Sequence, residues 1–254
     1  MSDTVTEASS DICLRSVGLT MVRGTITTLD TLYLEVPRGK VVSILGPNGA
    51  GKTTTINLFM GFIKPTAGRA EVCGIDVAKN AREARKNLAF IPETVSLYGH
   101  LTGIENLEYF ANLGGIKGLT KAQASELLHR AGLQSSAFER RASTYSKGMR
   151  QKVCVALALA KNAKAMILDE PTSGLDPYAA KEFSLLVMQL AEQGVGALVA
   201  THDLLLAKEI SDEIVILVGG KVRQKLTTQS LSVGELESLY LAELAEAVTG
   251  ARAA

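Results

Sequence analysis

The sequence predicts an α/β fold built on a mostly parallel sheet, and three observations lead there. The apolar run Val41–Leu45 feeds directly into a glycine-rich loop and then a helix-like segment. Further along, short apolar stretches alternate with helical patterns, as in a chain of β–α units. Between these parts, residues 102–161 carry helix signals and no convincing strand, which reads as a helical subdomain (about 94–162) inserted in the core.

The elements follow in order. Residues 1–11 are rich in Ser, Thr, Asp and Glu and read as a frayed tail. Residues 12–20 and 32–36 are strand-like, an antiparallel β part is expected beside the mostly parallel sheet, and Val41–Leu45 suits a strand buried on both faces. Residues 54–62 place Ile56, Leu58, Phe59 and Phe62 as a helix face. Thr102 with Glu105 three residues on forms a capping box for a helix to residue 113, and residues 120–131 repeat the pattern. Residues 147–161 form a third helix with Val153, Ala156, Leu157 and Ala160 on one side. Strands at 165–168, 196–200 and 213–218 then alternate with helices at 178–193 and 204–211. Gly219-Gly220 marks a two-residue hairpin into 221–226. Residues 227–254 form a C-terminal extension with a helix over 233–248.

Composition narrows the function. The chain has 254 residues, a net charge of +1, 46% hydrophobic residues, 5% aromatics and no Trp. Such a chain offers neither the positive field nor the stacking surface of a nucleic-acid binder. A spanning helix needs about 20 consecutive apolar residues, and the apolar runs here are far shorter. The start of the chain lacks the basic-then-apolar order of a secretory signal. Three scattered cysteines, Cys13, Cys73 and Cys154, show no metal-ligand spacing and suit a reduced cytoplasmic setting.

Gly46-Pro47-Asn48-Gly49-Ala50-Gly51-Lys52-Thr53 satisfies G-x-x-x-x-G-K-[ST] between strand and helix. Its backbone N–H groups can cradle phosphate oxygens, Lys52 can reach the β/γ-phosphates, and Thr53 can ligate magnesium. Thr54 follows in the first helical turn. The fold is thus that of a P-loop NTPase. The apolar run 165–168 ends in Asp169-Glu170. At the carboxyl end of a parallel strand, Asp169 would hold Mg2+ and Glu170 would polarise the attacking water. No N-K-x-D guanine-reading pattern occurs, which disfavours a GTPase.

Tyr145-Ser146-Lys147-Gly148-Met149-Arg150-Gln151 resembles the L-S-G-G-Q signature of ATP-binding-cassette (ABC) ATPases. Ser173-Gly174-Leu175-Asp176 resembles that family's D-loop, His202 its switch histidine, and Ile91-Pro92-Glu93 its Q-loop. The resemblance covers about residues 12–222. It implies an ATPase that sandwiches two ATP between two cassettes, each site taking a phosphate loop from one copy and Ser146, Gly148 and Met149 from the other. Lys147 would add a cation near that phosphate. His202 would contact the γ-phosphate, and Asp176 would link the subunits.

The sequence departs from the family pattern at three places. Arg23 stands where many cassettes carry an adenine-stacking aromatic; its guanidinium plane can stack on a base. Glu93 replaces the usual Gln and, as an acceptor-only carboxylate, can contact Mg2+ or water. The signature itself is altered at Tyr145, Lys147 and Met149. Glu93 with this signature is similar to the type-two exporter branch, whose cassettes are separate from their polytopic membrane subunits. The resemblance therefore implies ATP and Mg2+ as cofactors, a second copy as homodimer partner, and a place on the cytoplasmic face of the inner membrane. Val95, Leu97, Tyr98 and Leu101, beside Glu93, would meet the membrane subunit. The alternative is a soluble ABC ATPase of an assembly system, such as an iron–sulfur scaffold partner.

Overall fold

The computed structural model describes residues 11–252; most of the expected N-terminal tail lies outside the described residues. The chain opens with a long hairpin, β1 (Ile12–Arg23) and β2 (Ile26–Pro37). In β2, Leu32, Leu34 and Val36 are buried while Thr31, Tyr33 and Glu35 face out, the period-two pattern of a sheet with one wet face. β3 (Val41–Leu45) is buried at every residue and leads into α1 (Lys52–Phe59).

The next stretch supplies elements that periodicity alone does not announce: β4 (Ala67–Val72), β5 (Ile75–Asp76), α2 (Val77–Lys86) and β6 (Leu88–Ile91). The helical block follows as α3 (Gly103–Leu113), α4 (Lys121–Arg130) and α5 (Lys147–Ala160). Complete capping boxes, Thr102 with Glu105 and Thr120 with Gln123, start α3 and α4. The remaining units are β7 (Ala165–Asp169), α6 (Pro177–Glu192), β8 (Gly196–Thr201), α7 (Leu204–Ile210), β9 (Glu213–Val218), β10 (Lys221–Thr227) and α8 (Val233–Arg252).

Two sheets result. One is antiparallel in the order β2-β1-β4-β5, and the other has the order β10-β9-β3-β8-β7-β6. Within the second, β9, β3, β8, β7 and β6 are parallel, and β10 joins the edge through the Gly219-Gly220 hairpin. Alternate strand residues serve opposite faces. Met166 and Leu168 join a core with the helical block and α6, whereas Ala165 and Ile167 join one with α1 and the antiparallel sheet. Both faces are therefore dry, which is why these strands read as unbroken apolar runs. α8 covers the far edge, with Leu236 and Tyr240 buried against Ala207, Ile214 and Ile216.

The geometry brings the carboxyl ends of β3, β7 and β8 side by side. In open parallel sheets this edge is where ligands bind.

Candidate active site

The loop at residues 46–53 is shaped by close backbone approach. A Cβ on Gly46 would stand 2.2 Å from the Leu217 carbonyl oxygen. Gly51, at φ 109°, caps α1 without a side chain to satisfy the helix's first N–H groups. An uncapped helix start of this kind leaves donors and the positive end of the dipole for an anion. α1 starts at Lys52, two residues before the start read from periodicity, because the glycine turn itself supplies the first turn's geometry. Thr55 anchors that turn by donating to the Gly51 carbonyl at 3.0 Å, while Thr53 is exposed and Thr54 half-buried at the mouth.

Lys52 is only 7% exposed. Its Nζ donates to the Gly46 carbonyl at 2.5 Å and lies 3.3 Å from Glu170 Oε1. Glu170 stands just past β7 with φ 43°, a left-handed conformation unusual for a non-glycine residue. Strain of this kind, on the order of 1–3 kcal/mol, concentrates at functional sites. The backbone N–H of Glu170 is tied to the Ala200 carbonyl at 2.8 Å, which aims the side chain across the sheet edge. There Oε2 meets His202 Nδ1 at 2.9 Å and accepts from Thr201 Oγ1 at 3.2 Å and from the His202 backbone N–H at 3.4 Å. Burial alone would raise the Glu170 pKa, but the His202 hydrogen bond and the Lys52 charge prevail and hold the carboxyl below its ordinary value.

Asp169 behaves oppositely. Burial, then the neighbouring charges of Glu170 and Glu93, push its carboxyl above its ordinary range, with Lys52 only partly offsetting them. A carboxylate whose folded pKa exceeds the unfolded one destabilises the fold once ionised, and lowering the pH relieves that cost. Asp169→Asn should therefore raise the melting midpoint of the nucleotide-free chain at pH 7 by on the order of 2 °C while abolishing Mg2+-dependent turnover. Thermal melts and phosphate release would check both. A lower midpoint would show that Asp169 supports the fold rather than straining it.

The expected residues thus separate into groups. Lys52, Asp169, Glu170 and His202 come together at one edge. Glu93 is near enough to act on Asp169 and accepts from Ser173 Oγ at 3.3 Å. Ser146 caps α5 through the Met149 N–H at 3.3 Å, and Gly148 lies against Leu175 and Ala179. α5 belongs to the core of the helical block, not to the core that holds α1. Arg23 is exposed at the end of β1, where it pairs with Ile26, and its side chain has no hydrogen bond or ion pair among the described residues. Asp176 caps α6 by accepting from the Ala179 N–H at 2.9 Å. Lys147, expected near a neighbouring copy's phosphate, donates at 2.5 Å to the Ser173 carbonyl of its own chain.

Two contributors escaped sequence reading. Thr201 orients Glu170; its position at the strand end before His202 was the available signal. Gln151, fully buried, donates through Nε2 to the Pro171 carbonyl at 2.7 Å and so ties the signature helix to the segment after Glu170.

Comparisons with known proteins agree with this geometry. A family model described as ABC transporter matches residues 29–173. A Bacillus subtilis protein called an uncharacterized ABC transporter ATP-binding protein, YdbJ, is 35% identical over 84% of this chain and 68% of its own length. The bacitracin transport ATP-binding protein BcrA of Bacillus licheniformis is 35% identical over 84% of this chain and 69% of its own. The doxorubicin resistance ATP-binding protein DrrA of Mycobacterium tuberculosis is 34% identical over 87% of this chain and 66% of its own. Among solved structures, a dimeric post-hydrolysis ATP-binding cassette bound to ADP and Pi covers 86% of this chain and 100% of its own, at TM-score 0.75 and 26% identity. The ATP-binding subunit of an ABC transporter covers 90% of this chain and 99% of its own, at TM-score 0.76 and 31% identity. The chain belongs to the ABC transporter family, as an ATP-binding subunit that hydrolyses ATP.

Proposed function

We propose that this chain powers an exporter whose membrane-spanning part lies in separate subunits, and that two copies close head to tail around two Mg–ATP. The observation that carries the reading is the separation of two anion-binding helix starts within one chain. The phosphate loop and Lys52 stand on the α1 core, and Ser146 stands on the helical-block core. Each complete site then takes residues 46–54 from one copy and Ser146, Gly148 and Met149 from the other, with Arg23 beside the base. Relatives named for bacitracin transport and doxorubicin resistance support export over a soluble assembly role.

The residues suit magnesium as a shared ion. Repulsion among Asp169, Glu170 and Glu93 is what a divalent cation offsets. No group of three or more His, Cys, Asp or Glu side chains among the described residues could hold a metal alone. Thr53, Asp169 and Glu93 would therefore share the ion with phosphate oxygens, as Mg2+ sites commonly do. When bound, it neutralises charge on the transferred phosphoryl group. Glu170 orients the attacking water and draws its proton. His202, held by Glu170, sits where it can bridge water and phosphate, and Lys52 passes from the Gly46 carbonyl to phosphate oxygen.

No helix among the described residues is long and apolar enough to cross a membrane, so attachment to the cytoplasmic face of the inner membrane falls to a partner. Beside Glu93, an apolar pocket of about 120 Å³ is lined by Pro92, Val95, Leu97, Leu107, Phe110 and Leu157 among others. That is the scale of one apolar side chain. Tyr98 and Tyr109, each 43% exposed, stack edge to face at 4.8 Å and extend the patch outward. Of the four residues expected to meet the membrane subunit, Val95 and Leu97 line the pocket, Tyr98 stacks on the lining residue Phe110, and Leu101 does neither. Extraction in mild detergent followed by mass spectrometry tests the reading. A polytopic subunit should co-purify and be lost on Leu97→Asp; a stable complex lacking any membrane protein would indicate the assembly role instead.

A further inference from the structure

Cys13 lies near the start of β1, and Cys73 directly follows β4. The ladder between these strands pairs Leu14 with Val72 and Arg15 with Glu71. One step further, the same register sets Cys13 opposite Cys73, and the Cys73 backbone N–H donates to the Cys13 carbonyl at 2.8 Å. Directly opposed Cβ atoms in an antiparallel pair stand about 4.5–5.5 Å apart, against about 3.5–4.5 Å across a disulfide. Closure needs a local shift of about 1 Å. The two side chains thus leave the paired strands at directly opposed positions.

The turn offers a second observation. Cys73 at φ 48° and Gly74 at φ 76° are the central residues of the tight turn that returns from Val72 to Ile75. Two positive φ values define a type I′ turn, whose first position favours Asn, Asp or Gly. A cysteine there carries backbone strain that its local role does not require. Sequence reading saw three scattered cysteines; the register makes two of them neighbours.

The environment also favours one thiolate in the pair. The Cys73 thiol, against the opposing effect of burial, lowers Cys13 to about 7, and the Gly196 N–H and Arg38 add to this. The neighbouring Cys13 thiol and burial push Cys73 the other way, well above its ordinary value. Cys13 is 5% exposed, whereas Cys73 is half-buried and within reach of a small oxidant. Cys154, by contrast, is pushed up to about 12 by burial and has no thiol neighbour to resolve it.

We propose that Cys13 and Cys73 form an oxidant-responsive dithiol that small hydroperoxides close to a disulfide. The Cys13 thiolate is the nucleophile, and the half-buried Cys73 side admits hydrogen peroxide to it. The thiolate attacks one peroxide oxygen, the O–O bond breaks, and the departing hydroxide takes up a proton from solvent to become water. The Cys73 sulfur then attacks the resulting Cys13 sulfenic acid and expels a second hydroxide, which takes the Cys73 thiol proton. Two sulfurs lose two electrons in all, and one peroxide becomes two waters. The closed loop spans residues 13–73 and so contains the phosphate loop and α1. A cross-link around a loop of that length restricts the unfolded chain strongly.

The experiment uses the full chain, purified reduced, treated with one equivalent of hydrogen peroxide and alkylated under denaturing conditions. The expected result is a Cys13–Cys73 linked peptide with Cys154 alkylated. The melting midpoint should rise by about 5 °C and return on adding dithiothreitol. Cys73→Asn, which suits the turn better than cysteine, should fold normally and show neither change. Alkylation of both thiols after treatment would overturn the proposal, as would a sulfinic Cys13 beside a free Cys73, or an equal midpoint shift in Cys73→Asn. None of these readouts depends on nucleotide, so the test stands apart from the ATPase reading.

Discussion

Glu170→Gln should bind ATP with nearly unchanged affinity while its turnover falls by roughly 10²–10⁴-fold, the usual contribution of a positioned general base. The amide keeps the size of the carboxylate and can still accept from Thr201 Oγ1 through its remaining oxygen, so the sheet edge should hold its shape. It cannot draw a proton from water, and it cannot face His202 Nδ1 and Lys52 Nζ with acceptors at both positions. Lys52 loses only its contact with Glu170 and keeps the Gly46 carbonyl, so phosphate binding is spared. With hydrolysis removed and binding intact, ATP should accumulate the variant as a dimer on gel filtration. Glu170→Gly separates chemistry from strain. It relieves the φ 43° conformation and should melt higher than Glu170→Gln, yet be equally inactive. Phosphate release near the unsubstituted rate in either variant would remove Glu170 from the role of base.

Legibility along the chain followed how local each feature's physics is. The phosphate loop was readable because its glycines, Lys52 and Thr53 are demanded by one short stretch of backbone. The parallel strands were readable because both faces are dry. β4 was not. Its sequence, Ala-Gly-Arg-Ala-Glu-Val, has low strand propensity, and pairing with β1 holds it in place. α2 is polar and broken by the non-helical Asn80, at φ −144° and ψ 63°, so its helical pattern is blurred. The site divides in the same way. Asp169 and Glu170 announced themselves at a strand end, but the contact from Glu170 to His202 joins residues just past the ends of β7 and β8 and exists only once the sheet forms. Lys147 belongs with the assembled features: its contact with the Ser173 carbonyl comes from packing and leaves no mark on the local sequence.

That division between local and assembled features sets up the other large effect, a test by mixing two inactive variants. Lys52→Ala should lose turnover because the phosphate loop keeps its shape but loses its cation. Ser146→Arg should lose it because the α5 start is filled by a bulky side chain where a small capping hydroxyl stands. If each site were completed within one chain, a mixture of the two would remain inactive. In a head-to-tail pair the outcome differs. One site of the mixed dimer combines both defects, and the other combines the intact phosphate loop of the Ser146→Arg copy with the intact signature of the Lys52→Ala copy. Random pairing makes half the dimers mixed, each with one good site, so activity should recover to at most about a quarter of the unsubstituted level. The placement of α1 and α5 on different cores of the chain is what makes recovery the expected result. Recovery should also depend on protein concentration, since only assembled pairs contain the repaired site. Phosphate release measured across a dilution series would show it, and a mixture inactive at every concentration would place both motifs in one chain's site.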